Sequence, residues 1–428
     1  MARSEVRYFP TCPATHFLYG EAAVFLTILI ILLAALPMQA QTLNVLHSFH
    51  NSPDGSAPWS GLARDSYGNL YGTTTVGGEY GYGMVFNVAK RNSSWILYPL
   101  YSFPDPDQGN DGAMPNAPVV IGPGGALYGT TTTGGNNQGI VFKLTPPPRV
   151  CEATLCPWVE TILYAFTGGS DGGNPYSPVI LDAAGNVYGT TQSGGAANLG
   201  AVFELSPSGS GWTESVLYSF TGSPDGSQPE SGLTFDSAGN LYGTTADGGA
   251  GGSGTVFQLV PSGSGWTENI LHSFDGVDGY GPFGGLTFDS AGDIYGTTAY
   301  AAGGNGTVFE LTPAGGGQWN FNTLYYLTSG AAGVPGPVGT LLLDRDGSLY
   351  GTTFEGGITG GCLGFGCGTL FKLSPGSGGW TYSLLYEYQG ESDGGFPVDG
   401  LATDSQGNLY GAGFGGNSGN GVVFEWVP

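Results

Sequence analysis

The chain has 428 residues, of which 33 are acidic and 9 are basic, giving a formal net charge of −24. This balance excludes nucleic acid and anionic membrane surfaces as partners, because phosphate contacts need Lys and Arg. Gly accounts for 81 residues and aromatics for 13%, while charged residues make up only 10%. Disordered chains have the opposite composition, so we expect a folded protein with many tight turns between short aromatic strands.

The first 40 residues differ from everything after them. Arg3 and Arg7 precede an apolar run over residues 22–36, and Pro37-Met38-Gln39-Ala40 follows it. This pattern predicts a signal peptide that is cut after Ala40, with the rest of the chain secreted, periplasmic or at the cell surface. Met38 fits a cleavage site poorly, so an uncleaved membrane anchor is the alternative.

Cysteine spacing indicates an oxidising compartment. Cys12 leaves with the signal, and the other four form two local pairs, Cys151 with Cys156 and Cys362 with Cys367. Each pair would close a small loop as a disulfide. A metal site of four thiolates is the other possibility, although zinc spacings are usually tighter.

One tetrapeptide recurs along the whole remaining chain. Y-G-T-T or its variant Y-G-A-G starts at Tyr71, Tyr128, Tyr188, Tyr242, Tyr295, Tyr350 and Tyr410, each copy followed by a Gly-rich loop and G-x-V/L-F. Apolar runs flank each copy, so one unit contains four short strands: A (232–236 in the fourth unit), B (240–245), C (254–259) and D (266–274). Four strands in about 50 residues are typical of a propeller blade.

The ends of the repeat region decide how the units assemble. Residues 43–49 are a strand D without a unit, and residues 422–427 are the strand C of a seventh unit that lacks D. Pairing the two removes the free edges that an open stack would leave. The predicted fold class is therefore all-β, a seven-bladed β-propeller of four-stranded antiparallel blades over residues 41–428, closed by its N-terminal strand.

The combination of N-L-Y-G-T-T, a Gly-Gly loop, G-x-V-F-x-L-x-P and W-x-x-x-x-L-Y-S-F resembles the GloVer-type tandem-repeat proteins, an exported bacterial family. The resemblance covers residues 41–428, and strands A and B (GLTFDSAGNLYG) are also similar to the NHL-type propeller repeat. It implies this fold and export, and it supplies no catalytic residues. Members often carry a C-terminal sorting anchor, and the chain ends at Pro428 without one, which favours release or periplasmic residence.

The D-to-A loops carry a repeated acidic motif. Six of them contain D-G-x-x-P, beginning at Asp54, Asp111, Asp171, Asp225, Asp278 and Asp393. Each Asp could accept hydrogen bonds from the amides of its own turn. Alternatively, the six could form an acidic ring that holds Ca²⁺ or a cationic ligand, which would require several oxygens to converge.

The position after that Pro varies from unit to unit: Trp59, Asn116, Tyr176, Glu230, Phe283 and Val398. Variation at one place on a common scaffold can encode ligand choice. B-to-C loops add Tyr300, Phe354 and Phe414 on the same face. Exposed aromatics there would suit sugar rings or peptides, or they could simply cap the blade edges.

Signatures of catalysis are missing from the sequence. His47 and His272 occupy a strand D slot that is Tyr in sister units, and there is no G-x-S-x-G or H-E-x-x-H motif. We therefore predict an exported, monomeric, non-enzymatic binding scaffold without a cofactor, whose partner is a glycan, a peptide or a surface protein. The alternative is an extracellular lyase or hydrolase acting on polysaccharide or lactone, which needs at least two carboxylates or His with an ion at the channel mouth.

Overall fold

The computed structural model describes residues 41–148, 157–263, 265–302, 304, 306–327, 336, 338–357 and 362–428. Residues 42–427 form one compact unit. The predicted signal segment and the predicted Cys151–Cys156 disulfide lie outside the described residues. Within the described part of the chain, no helix is long and apolar enough to cross a membrane.

Seven four-stranded antiparallel sheets confirm the predicted blades, each with the order A-B-C-D. The first three blades consist of Ala63–Arg64, Leu70–Thr74, Met84–Arg91 and Ser94–Ser102; Val120–Ile121, Leu127–Thr131, Ile140–Thr145 and Val159–Ala165; and Ile180–Leu181, Val187–Thr191, Ala201–Ser208 and Gly211–Ser219. Blades 4 to 6 consist of Thr234–Phe235, Leu241–Thr245, Thr255–Ser262 and Gly265–Ser273; Thr287–Phe288, Ile294–Thr298, Thr307–Gly315 and Gln318–Tyr326; and Leu342–Leu343, Leu349–Thr353, Thr369–Gly376 and Gly379–Glu387. Blade 7 consists of Ala402–Thr403, Leu409–Gly413, Val422–Val427 and the N-terminal Thr42–Ser48.

Short elements occur between the blade strands. The pair Gly112–Ala113 and Thr133–Gly134 forms a two-stranded sheet, and Pro106–Gln108, Pro123–Gly125 and Cys362–Gly364 are 3-10 turns.

The N-terminal strand closes the ring as predicted. Thr42–Ser48 pairs with Val422–Val427, with Thr42 opposite Val427 and Ser48 opposite Val422. Phe49, directly after this strand, is fully buried among residues of blades 1 and 7. The first and last strands of the described unit therefore share one sheet and one core.

The second residue of Y-G-T-T is Gly in all seven blades because a Phe ring packs directly against its Cα. Gly72 lies opposite Phe86 in the next strand, and a Cβ on Gly72 would sit 2.6 Å from Phe86 Cζ. The other six blades give 2.4–2.7 Å for the same pair. Any side chain would displace this fully buried ring, so the packing of strands B and C selects Gly at this position.

Neighbouring blades are joined by apolar cores and, nearer the axis, by hydroxyl groups. Each of seven clusters of buried residues combines side chains from two adjacent blades. Thr73 Oγ1 of blade 1 donates to the carbonyl of Ala117 in blade 2 at 3.0 Å, and Thr130 Oγ1 of blade 2 donates to Ser177 in blade 3 at 3.0 Å. The third residue of Y-G-T-T thus links consecutive blades.

D-to-A and B-to-C loops emerge on one face, which we call the loop face. They pair with each other within a blade, for example Ser56 with Val76, Gly173 with Ser193 and Tyr280 with Tyr300. Both loop types therefore form one hydrogen-bonded rim around the axis.

Candidate functional site

A cavity of about 500 Å³ opens on the loop face, and all seven blades line it. Its wall contains the six variable residues predicted from sequence together with a seventh from blade 6: Trp59, Asn116, Tyr176, Glu230, Phe283, Val338 and Val398. Val338 was missed because blade 6 breaks the D-G-x-x-P motif. The retained Pro337 could have placed it by register.

Two of the three predicted loop aromatics, Tyr300 and Phe354, line this cavity, and Phe414 lies outside the lining, behind Trp59. Phe354 stacks on Trp59 with ring centroids 5.8 Å apart, and Phe414 lies 5.9 Å from the same indole. Tyr300 also lines the cavity and stacks on Tyr280 at 4.6 Å. Aromatic rings in contact hold one another in place, so the wall around Trp59 is preformed.

At three blade junctions, the B-to-C loop of one blade contacts the variable residue of the next. Thr75 Oγ1 donates to Asn116 Oδ1 at 2.8 Å, and Gln192 Nε2 donates to Glu230 Oε1 at 2.5 Å. Where the ring closes, Phe414 of blade 7 likewise contacts Trp59 of blade 1. In these three segments of the wall, loops from two adjacent blades determine the position of the side chain that faces the cavity.

The six D-G-x-x-P aspartates lie elsewhere, at their own turns. Asp225 Oδ2 accepts from the hydroxyl of Tyr218 at 2.8 Å and from the amide of Thr221 at 3.0 Å. The other five repeat this arrangement with a strand D Tyr or His and, in the same loop, a backbone amide: Asp54 with His47 and His50, Asp111 with Tyr101 and Gly112, Asp171 with Tyr164 and Thr167, Asp278 with His272 and Asp275, and Asp393 with Tyr386 and Gln389. None of the six lines the cavity.

The described residues contain no group of three or more His, Cys, Asp or Glu that could hold a metal ion. Calcium binding by the loop face stays an untested prediction.

A glutamate from the following blade completes three of these outer clusters. Tyr218 Oη is 2.9 Å from Glu268 Oε2, and burial, with Asp225 nearby, raises the pKa of Glu268 to about 7. Burial likewise raises the pKa of Glu160 and of Glu214 to about 7, and a loop Asp adds to each shift. These three glutamates therefore stay protonated to a higher pH than a solvent-exposed Glu.

The cavity also contains a carboxylate that the repeat pattern did not reveal. Asp399 of blade 7 lines it, and its Oδ2 accepts the amide N–H of Gly61 in blade 1 at 3.1 Å. Its Oδ1 accepts the N–H of Gly400 at 2.6 Å. Burial raises the pKa of Asp399, and the amide donors oppose this shift.

The second predicted disulfide is present. Cys362 and Cys367 are bonded in the B-to-C loop of blade 6, with Cα atoms 5.3 Å apart. Cys367 is fully buried in the core between blades 6 and 7, so the bridge anchors this loop to the blade.

Fold and site together define a seven-bladed β-propeller with a ligand-sized axial cavity. The Gloeobacter/Verrucomicrobia repeat profile matches residues 33–155 and 153–362, which is more than half of the chain. The chain belongs to this repeat family, and the resemblance read from its motifs is confirmed.

Solved structures with the same fold are distant in sequence. The extracellular domain of a candidate one-component system from B. thetaiotaomicron is 11% identical with a TM-score of 0.51, and the match covers 90% of this chain and 40% of that one. A candidate 6-phosphogluconolactonase from Bacteroides uniformis is 16% identical with a TM-score of 0.50, covering 83% and 89%. No curated protein matches the chain in sequence. These likenesses show the fold alone.

Proposed function

We propose that this chain is an exported, non-enzymatic binding propeller that holds a saccharide in its axial cavity. The observation that carries the proposal is the composition of the wall, where Trp59, Tyr176 and Phe283 alternate with polar side chains from other blades. Aromatic faces can cover the apolar face of a sugar ring, while amide, carboxylate and hydroxyl groups can bind its hydroxyls.

Exposure of the wall supports this assignment. Trp59 and Tyr176 keep 37% and 39% of their surface accessible, although both stand in a concave site. By contrast, the Phe of G-x-V/L-F is fully buried in all seven blades. Rings that remain exposed and preformed lose little side-chain entropy on binding, which favours affinity.

Export is supported by two observations. The Cys362–Cys367 disulfide is stable in an oxidising compartment. The N-terminal pattern of Arg3, Arg7 and the apolar run predicts a signal peptide.

An extracellular enzyme acting on polysaccharide or lactone is the second candidate. It is favoured by the presence of two carboxylates, Glu230 and Asp399, in one cavity. Both already accept hydrogen bonds, from Gln192 and from backbone amides, and they belong to blades three positions apart in the ring. A general acid or base must reach the reacting proton, so a binding role suits this arrangement better.

Titration calorimetry of the mature protein with a panel of defined oligosaccharides tests the proposal. We expect one site per chain, with Trp59→Ala weakening Kd about tenfold or more, equivalent to roughly 1.4 kcal/mol. Tyr67→Ala is the matched control, since Tyr67 is 87% exposed at an A-to-B turn on the opposite face. Saccharide binding that survives Trp59→Ala, or product formation detected by chromatography of the same mixtures, would contradict a non-enzymatic axial site.

A further inference from the structure

Blade 7 differs from the other six blades at one position that lines the cavity. The residue after the variable position is small in six blades, as Ser60, Ala117, Ser177, Ser231, Gly284 and Gly339, but it is Asp399 in blade 7. In blades 1 and 3 this Ser hydroxyl pairs with the Thr of Y-G-T-T, at 2.9 Å for Ser60 and 2.7 Å for Ser177. Blade 7 has Ala412 in place of that Thr, so both residues of the Ser–Thr hydrogen bond are replaced in this blade.

Crowding explains why the sister residues are small. A Cβ on Gly339 would lie 2.4 Å from the carbonyl carbon of Asp399, and one on Gly284 would lie 2.6 Å from the carbonyl oxygen of Gly339. Backbones of neighbouring blades therefore touch around the axis. A carboxylate is accommodated here because amides of blades 7 and 1 bind it.

Glu230 supplies a second negative charge in the wall. Burial raises its pKa, and the hydrogen bond from Gln192 opposes the shift. Burial, and then the charge of Glu230, raises the pKa of the neighbouring Tyr176. The Glu230 carboxylate thus lies beside an aromatic ring that faces the same cavity.

Neither carboxylate is balanced by a cation in the cavity. Among its described lining residues, Glu230 and Asp399 are the charged ones, and neither takes part in an ion pair within the described residues. Low-dielectric walls focus the field of such charges, and aromatic faces attract cations in addition. An uncharged ligand would remove water from both carboxylates and offer them only neutral hydrogen bonds, which are weaker than those from a cation.

We infer that the ligand of the axial cavity is a cationic saccharide, an amino sugar oligomer whose ammonium groups bind Asp399 and Glu230 while aromatic rings hold its sugar faces. The inference rests on the proposed function for the saccharide, and on the two carboxylates for the positive charge. It assigns Asp399 and Glu230 as the residues that determine specificity.

Calorimetric titration with four probes tests the inference: the glucosamine trimer, its fully N-acetylated form, cellotriose and trilysine. Each is fitted to one site per chain. We expect the glucosamine trimer to bind at least about tenfold more tightly than the two neutral trimers, since charge-assisted hydrogen bonds are about twice as strong as neutral ones. Trilysine should bind more weakly than the glucosamine trimer.

Variants identify the charges responsible. Asp399→Ser restores the residue found in blades 1, 3 and 4, and adding Ala412→Thr rebuilds the Ser–Thr pair of those blades. Together with Glu230→Gln, these variants should lose the preference for the glucosamine trimer over the neutral trimers. Asp293→Asn is the matched control, because it removes one charge on the opposite face and restores the Asn of four sister turns.

The possible failures are distinct. Equal affinity for charged and neutral trimers, or a preference untouched by Asp399→Ser and Glu230→Gln, would overturn the charge assignment and leave saccharide binding intact. Trilysine binding as tightly as the glucosamine trimer would overturn the saccharide. If no saccharide binds at all, the proposed function fails as well.

Discussion

Two rings of residues from the same loops behave in opposite ways. The D-G-x-x-P aspartates form an outer ring in which each carboxylate, like Asp225, is bound to a strand D hydroxyl or imidazole and to its own turn. The variable residues form an inner ring in which each side chain, like Trp59 or Glu230, faces the cavity. A distance of five residues along the loop thus separates a position that stabilises the blade from one that is free to change.

The difference shows which positions of a repeat protein must keep one residue type and which can change from blade to blade. A residue that satisfies buried groups within its own blade must be the same in every blade. A residue that faces the cavity contacts different partners in different blades, such as Thr75 at Asn116 and Gln192 at Glu230, so its identity need not repeat. The following predictions test this separation, beginning with the closure on which both rings depend.

Removing residues 41–49 should have the largest effect. The deletion takes the fourth strand from blade 7, exposes the edge of Val422–Val427 and empties the fully buried site of Phe49. An open ring with a free edge is prone to association. We expect loss of the monomer peak in size-exclusion chromatography and loss of a cooperative thermal transition; a soluble, cooperatively folding deletion variant would contradict closure by this strand.

The outer ring should control stability and not binding. Asp225→Ala takes the acceptor from the amide and the hydroxyl of Thr221 and leaves the hydroxyl of Tyr218 with Glu268 alone; Asp225 itself is buried. We expect the free energy of unfolding to fall by about 2 to 3 kcal/mol in urea titrations, because hydrogen bonds to a charged group each contribute about 1.5–3 kcal/mol. Saccharide affinity at the axis should not change, and a loss of affinity in the folded variant would show that the two rings are coupled.

Stability should also decrease as pH rises through the titration range of the three glutamates that lie beside the outer ring. Burial raises the pKa of Glu160, Glu214 and Glu268 from 4.5 to about 7, so between these values the folded chain holds protons that the unfolded chain has lost. These groups therefore favour folding below about pH 4.5 and lose that contribution as pH approaches 7. Melting temperatures should be higher at pH 5 than at pH 8.

Substituting all three glutamates by Gln is the control for this pH effect. Gln cannot ionise, so the difference between pH 5 and pH 8 should shrink. Burial lowers the pKa of His47 and His272, so these two groups oppose the trend near their ordinary value of 6.5, and they are unchanged in the triple variant. Asp236 and Asp404, in which turn hydrogen bonds outweigh burial and lower the pKa, oppose it only below their ordinary value of 3.8. An unchanged pH profile in the triple variant would show that these glutamates do not cause it.

Much of this architecture could be predicted from sequence because local packing repeats. The Gly of Y-G-T-T under its Phe ring is the same contact seven times, so the motif alone counts the blades. Strand order at the two ends then predicted closure. The variable residues of the cavity wall were predictable too, since a fixed register carries a changing side chain.

Asp399 and the outer clusters were harder to predict because they depend on contacts between blades. Asp399 is bound by an amide of blade 1, more than 300 positions away along the chain. The Asp-Gly turns allowed either a local or a convergent arrangement, and the deciding partners, such as Tyr218 and Glu268, lie on strands of two different blades. One sequence signal could have predicted these clusters. Where one blade has Tyr in strand D, strand D of the next blade can carry a Glu, as in Tyr101 with Glu160 and Tyr164 with Glu214.

The smallest effect on stability should come from the inner ring. Trp59→Ala removes stacking against Phe354 and Phe414, but the side chain is 37% exposed and satisfies no buried polar group. We expect the free energy of unfolding to fall by only about 1 kcal/mol, since aromatic pairs each contribute about 0.5–1.5 kcal/mol. Urea titrations of Trp59→Ala beside Asp225→Ala compare the two rings directly. If the axial variant proved as destabilising as the outer one, the cavity wall would be part of the framework, and its variation between blades would need an explanation other than ligand choice.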